Sequence, residues 1–148
     1  MAEDTGTVTG LSGGCQCGAV RYRAGMAPRN VHYCHCRMCQ RAVGNIFATL
    51  VPVRKDSVTW TGAPAFFRSS SVASRGFCPA CGTPLSFAYD DSEWMCVTLG
   101  SLDDPAAVPP VVHYGVESQV PWFHMADGLP REETEEAVFD NLQGRDAF

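Results

Sequence analysis

Seven of the eight cysteines of this chain fall into three tight clusters: Cys15-Gln16-Cys17, Cys34-His35-Cys36-Arg37-Met38-Cys39 and Cys78-Pro79-Ala80-Cys81. Thiolates separated by one to four residues can reach a single ion at about 2.3 Å without straining the backbone, and the metal this donor set favours is zinc. A structural zinc is closed by four protein ligands, whereas a reactive zinc keeps three and leaves one position for water or substrate. Seven divides accordingly. Cys15, Cys17, Cys78 and Cys81 can close one site, and Cys34, Cys36 and Cys39 can form a second with an open position. A regrouping that joins the middle cluster to the Cys78/Cys81 pair, or one zinc with spare thiols, would also use these residues.

Disulfides and iron-sulfur ligation are the other uses of clustered cysteines. The opening Met1-Ala2-Glu3-Asp4-Thr5-Gly6 has neither a basic region nor an apolar run, so the sequence predicts a cytoplasmic protein, where thiols stay reduced. The spacings match neither of the common ferredoxin patterns. Two zinc ions per chain are therefore expected.

The runs around the cysteines resemble a known family. Gly14-Cys15-Gln16-Cys17-Gly18-Ala19-Val20-Arg21-Tyr22, Tyr33-Cys34-His35-Cys36-Arg37-Met38-Cys39-Gln40-Arg41 and Arg75-Gly76-Phe77-Cys78-Pro79-Ala80-Cys81-Gly82-Thr83-Pro84-Leu85 look like the glutathione-dependent formaldehyde-activating enzymes. Gly44-Asn45-Ile46-Phe47-Ala48, Gly100-Ser101-Leu102-Asp103-Asp104 and Pro121-Trp122-Phe123 extend the likeness over roughly residues 10 to 130. The resemblance implies a mainly β fold of the β-tent type, a structural zinc on the four outer cysteines and a catalytic zinc on Cys34, Cys36 and Cys39. It also implies a carbon-sulfur lyase activity that runs in reverse, adding glutathione to formaldehyde to give S-hydroxymethylglutathione. Where the family often has a basic residue ahead of the Pro-Trp pair, this chain has Gln119.

At 148 residues, 45% of them hydrophobic, the chain suits one small β-rich domain over 10–130, with a flexible stretch over 1–9 and a polar tail over 131–148 that has room for a short helix. Strands are predicted at Val20–Arg23, Phe47–Val53 and Trp94–Leu99, punctuated by 14 glycines and 10 prolines, and a helical turn or two at Arg37–Val43 closed by Gly44. No apolar run approaches the roughly 18 residues of a membrane span. A net charge of −5, with Lys55 the single lysine, argues against a nucleic-acid module.

The middle cluster carries the chemistry. Three thiolates on Zn²⁺ leave a net negative site, a weaker Lewis acid than one built on neutral histidines, so activating water is not its natural task. Such a site better accepts a fourth thiolate, which then attacks a small aldehyde. Arg37 and Arg41 flank Cys39 and are candidates to offset that charge, with ordinary surface arginines as the alternative. Alternation along a strand turns His35 away from Cys34 and Cys36, towards a packing or supporting role. His32 and His113 are acid-base candidates against a structural alternative. Trp60, Phe66, Phe67, Phe77, Phe87, Trp94, Trp122 and Phe123 are read as core, Cys96 as a buried hydrophobe, and Asp103 and Asp104 as turn formers. Two function classes follow: a zinc enzyme joining glutathione or another small thiol to formaldehyde or a related electrophile, and a non-enzymatic zinc domain that binds a thiol compound or a protein partner.

Overall fold

The structure is a computed structural model describing residues 10–25 and 29–134. It is mainly β. Strands β1 (Leu11–Gly14), β2 (Arg21–Ala24) and β5 (Val58–Thr61) form a three-stranded sheet in the order β1-β2-β5. The remaining strands are β3 (His32–Cys34), β4 (Ala48–Arg54), β6 (Ala65–Arg68), β7 (Ala73–Phe77), β8 (Pro84–Tyr89), β9 (Trp94–Thr98), β10 (Val112–Tyr114) and β11 (Arg131–Glu132). They form one sheet in the order β11-β10-β3-β4-β9-β8-β7-β6. One helix, α1 (Arg37–Val43), and four short 3-10 turns complete the described residues. The predicted strands and helix lie where the sequence places them. Arg131 and Glu132 are an edge strand parallel to β10, and the proposed tail helix beyond 134, like the flexible 1–9, lies outside the described residues.

Strand alternation explains why one sheet serves two interiors. Along β4, Val51 and Val53 point into a core shared with Leu11, Val20, Tyr22 and Ala24 of the small sheet. Ala48 and Leu50, offset by one residue, face the other way and pack with Cys39 and Cys96. β9 repeats the division: Met95 and Val97 enter the first core, Cys96 the second. Cys96 is fully buried, as expected of a small hydrophobe.

The small sheet is tied down by the loop after β9. Tyr22 Oη lies 2.7 Å from Ser101 Oγ, and Asp103 accepts from Ser12 Oγ at 2.7 Å and from both terminal nitrogens of Arg21 at 2.9 and 2.6 Å. Asp103 is thus a tether, in keeping with a structural reading of the Asp103-Asp104 pair.

Four of the aromatic residues expected in the core are instead exposed: Phe66, Phe67, Trp122 and Phe123. Phe66 and Phe67 sit on β6, the last strand of the large sheet, and Trp122 lies in a turn. Apolar type alone does not reveal whether a second layer covers a strand.

Candidate metal centres

The Sγ atoms of Cys15, Cys17, Cys78 and Cys81 lie within 4.8 Å of one another. Two turns carry them. In the first, Cys15 N–H donates to Val20 O and Gly18 N–H to Cys15 O, while Val20 N–H donates to Cys15 Sγ at 3.2 Å. In the second, Cys78 N–H donates to Thr83 O, Gly82 N–H to Cys78 O, and Ala80 N–H to Cys78 Sγ at 3.3 Å. Each turn closes with a glycine directly after its second cysteine, Gly18 at φ +83° and Gly82 at φ +80°, in the left-handed region that favours glycine. Thr83 links the turns, accepting from Gln16 N–H at 3.0 Å and lying 3.2 Å from Cys81 Sγ. Its hydroxyl and backbone pull the Cys81 thiol down to about 5.

The donor set fits zinc. A tetrahedral ion with bonds of about 2.3 Å places its sulfurs about 3.8 Å apart. Cys15 and Cys17 Sγ are separated by 3.6 Å, and Cys17 and Cys78 Sγ by 3.8 Å. Sulfur atoms at this spacing need a cation between them once more than one is ionised.

The second centre gathers Cys34, Cys36 and Cys39, again within 4.8 Å. Cys34 ends β3, Cys36 caps α1 with its Sγ accepting from Cys39 N–H at 3.4 Å, and Cys39 lies on the first turn of the helix. The helix stops at Gly44, which adopts φ +68° and donates to Gln40 O. Gln40 is buried and fixes the helix to the loop before it, donating to His35 O at 2.7 Å, and to the distant turn at Val116–Ser118, donating to Ser118 O at 3.0 Å. Gly115 closes the other side, where a Cβ would stand 2.8 Å from Cys36 N. The Cys34 and Cys39 thiols, the Cys39 N–H and the Arg75 guanidinium hold the Cys36 thiol well below its ordinary range, while its neighbours and burial push Cys34 far above. One thiol ionises readily, and further ionisation needs a positive partner.

The charge beside this centre comes from Arg75 on β7. Its Nη2 donates to Cys39 Sγ at 3.5 Å, its Nε donates to Ser69 Oγ at 3.0 Å, and its guanidinium lies 4.6 Å from the centre of the Phe87 ring. Arg37 and Arg41 are exposed: Arg37 bonds to Gln40, and Arg41 lines a neighbouring groove. Arg75 belongs to the run preceding Cys78, but nothing in its spacing announced the contact, which arises from the pairing of β7 with β8.

His35 points away from the thiols, as alternation predicts. Its Nε2 lies 2.8 Å from His113 Nδ1, and His113 Nε2 lies 2.8 Å from Asp127 Oδ2, with both rings buried. The Asp127 carboxylate accepts the His113 Nε2–H, which leaves His113 Nδ1 to accept the His35 Nε2–H. Tyr33 stacks on His113 with ring centres 4.6 Å apart, and Phe47 packs against His35. Burial pushes His35 down to about 4 and His32, whose Nδ1 lies 2.6 Å from Asn30 O, also to about 4. Both are neutral near pH 7.

The three thiols open onto a cavity of 240 Å³, walled by Leu50, Val72, Phe87, Tyr89 and Tyr114. His32 reaches it, whereas His35 and His113 do not line it. Gln119 accepts from Arg131, and neither lines the cavity. No helix among the described residues is long and apolar enough to cross a membrane.

Comparison with known proteins agrees with this architecture. The chain is 33% identical over 81 residues to the uncharacterized lyase C29B12.13 of Schizosaccharomyces pombe, a match covering 55% of this chain and 59% of that protein. The match thus spans less than two thirds of the curated relative. A Rhodobacter sphaeroides protein solved in a structural-genomics programme shares the fold with a TM-score of 0.54 at 18% identity, over 82% of this chain and 99% of its own. Residues 10–118 match the model of the glutathione-dependent formaldehyde-activating enzymes. With that match covering most of its length, and with both cysteine groups assembled as the resemblance implies, the chain belongs to the glutathione-dependent formaldehyde-activating enzyme family.

Proposed function

We propose that this protein is a zinc-dependent carbon-sulfur lyase that joins a small thiol, glutathione or another, to formaldehyde or a related small aldehyde, and catalyses the reverse cleavage. The observation that carries the reading is the three-thiol centre lining a mostly apolar cavity. Cys34, Cys36 and Cys39 would hold the catalytic zinc, and Cys15, Cys17, Cys78 and Cys81 the structural one. When bound at the three-thiol centre, zinc supplies a soft positive site that lowers the pKa of a substrate thiol.

The chain's own residues do the rest. Arg75 offsets the negative charge that grows as the substrate sulfur ionises. Leu50, Phe87 and Tyr114 exclude water and so disfavour the aldehyde hydrate. The Tyr89 phenol, pushed up to about 12 by burial and then by the neighbouring thiols, stays protonated beside the three-thiol centre and so adds no negative charge to the cavity it lines. In the addition the S–H bond and the carbonyl π bond break, a C–S bond and an O–H bond form on the carbonyl carbon and oxygen, and the sum is redox-neutral.

The test is exchange NMR with ¹³C-formaldehyde and thiol, which reads interconversion of free and thiol-bound carbon against the uncatalysed background. The zinc-loaded protein is expected to raise the exchange rate at least about tenfold, a gain of about 1.4 kcal/mol in the barrier. Rates identical with and without protein would leave thiol binding without turnover as the function.

A further inference from the structure

His35 stands between two thiols of the three-thiol centre, yet its ring faces away from both and is bonded into a buried chain that ends on Asp127. We infer that Asp127 and His113 are positioning residues for that centre: acting through His35, they set how tightly Cys34, Cys36 and Cys39 hold their metal. This role rests on the zinc proposed at those thiols and adds the groups that keep them aligned.

The chain changes direction at residue 35. Cys34 ends β3 and Cys36 caps α1, so His35 carries the passage from strand to helix that brings both sulfurs to one side. Its N–H donates to Tyr114 O at 2.9 Å, and its O accepts from Gln40 Nε2 at 2.7 Å. Two holds along the backbone still leave rotation about it. The ring supplies a third hold away from that axis, with Nε2 at 2.8 Å from His113 Nδ1, and so fixes the aim of the flanking Cys34 and Cys36.

Direction is what the two imidazoles contribute beyond filling space. His35 is 1% exposed and His113 0%, and apolar groups of the same shape in place of both would be nearly neutral for stability. A hydrogen bond, unlike an apolar contact, prescribes an angle as well as a distance. Asp127 sets the order of the chain: its Oδ2 holds the His113 Nε2–H at 2.8 Å, which turns Nδ1 towards His35 as an acceptor. The loop carrying Asp127 is itself fitted to His113, since Asp127 Oδ1 accepts from Leu129 N–H at 3.1 Å and Pro130 O accepts from His113 N–H at 2.8 Å. Tyr33, next to Cys34, stacks on the His113 ring with 15° between the planes and opposes its rotation.

The four-thiol centre provides an internal comparison. Its cysteines are oriented by bonds within their own two turns and by Thr83, none of which passes through His35, His113 or Asp127. A loss confined to the three-thiol centre therefore separates positioning from a general loosening of the fold.

The experiment is competition of the zinc-loaded full-length protein against a chromogenic chelator, the three-thiol phase being the one that Cys36→Ser removes. Asp127→Ala and His113→Leu are expected to weaken that phase at least about tenfold, as loss of a supporting bond behind a metal ligand does, and to leave the four-thiol phase within about twofold. His113→Asn, whose amide oxygen can accept the His35 Nε2–H, is expected to recover most of the loss. With cobalt in place of zinc, the ligand-field bands of the three-thiol centre are expected to shift in His113→Leu and to return in His113→Asn. Equal weakening of both phases would overturn the inference in favour of a structural role alone. A three-thiol phase unchanged in both Asp127→Ala and His113→Leu would also overturn it, while leaving the zinc reading intact. A parent protein with no phase that Cys36→Ser removes would overturn both.

Discussion

Replacing Arg75 with methionine removes a charge beside the three-thiol centre while keeping an unbranched chain of similar reach, so its effect isolates electrostatics from packing. With zinc bound, three thiolates carry the centre to a net charge of −1, and a fourth takes it to −2. Arg75 Nη2 stands 3.5 Å from Cys39 Sγ, and the incoming sulfur would lie somewhat farther. Two unit charges about 5 Å apart at an effective dielectric of about 20 interact by about 3 kcal/mol. Arg75 is only half-buried, so solvent screening reduces this to about 1–2 kcal/mol. The loss expected is therefore about tenfold in thiol affinity at fixed pH. Calorimetric titration of the zinc-loaded protein with 1-butanethiol measures it, and Arg75→Lys should recover part of the loss because it restores charge without the planar contact to Phe87. Affinity within twofold of the parent in the methionine variant, at unchanged zinc content and circular dichroism, would refute the role given to Arg75.

The buried His35–His113 pair makes His113→Leu costly: His35 Nε2–H loses its acceptor, and urea denaturation should show a loss of about 1–3 kcal/mol. A change below about 0.5 kcal/mol would mean the bond contributes nothing net. Gly62 adopts φ +83° with Ala19 O only 2.1 Å from where a Cβ would stand, directly behind the turn of Cys15 and Cys17. Gly62→Ala should cost at least about 1–2 kcal/mol and speed zinc loss to a chelator; an unchanged chelation rate would show that the turn can shift. Asp103 is held down to about 2, chiefly by Arg21, so below about pH 4 the unfolded chain binds more protons than the folded one and stability falls towards pH 2. Because both partners are half-exposed, Asp103→Asn should flatten acid unfolding by less than about 1 kcal/mol, as read by far-ultraviolet circular dichroism. A larger change would place more of the tether's strength in this ion pair than its exposure permits.

The cysteine clusters were readable because each is local: one or two turns of chain deliver two or three sulfurs, and spacing alone fixes their reach. The same holds for α1, whose Cys36 cap and Gly44 stop are both written within nine residues. What escaped sequence reasoning depends on strand pairing at long range. Arg75 meets Cys39 across 36 residues, and the parallel alignment of β3 with β10 brings His35 to His113 across 78. Asp127 joins them from a loop with no periodic signal. The exposed Phe66 and Phe67 show the converse limit: their strand was apolar enough for a core, but its place at the sheet edge leaves them uncovered.

Zinc content per chain, measured by metal mass spectrometry on protein purified without chelators or a metal-binding tag, tests the central claim most directly. The account predicts two zinc ions in the parent protein and one in Cys36→Ser, with circular dichroism unchanged because the four-cysteine centre still joins its two turns. A single zinc in the parent that persists in Cys36→Ser would contradict it, leaving Cys34, Cys36 and Cys39 as a thiol cluster without a metal.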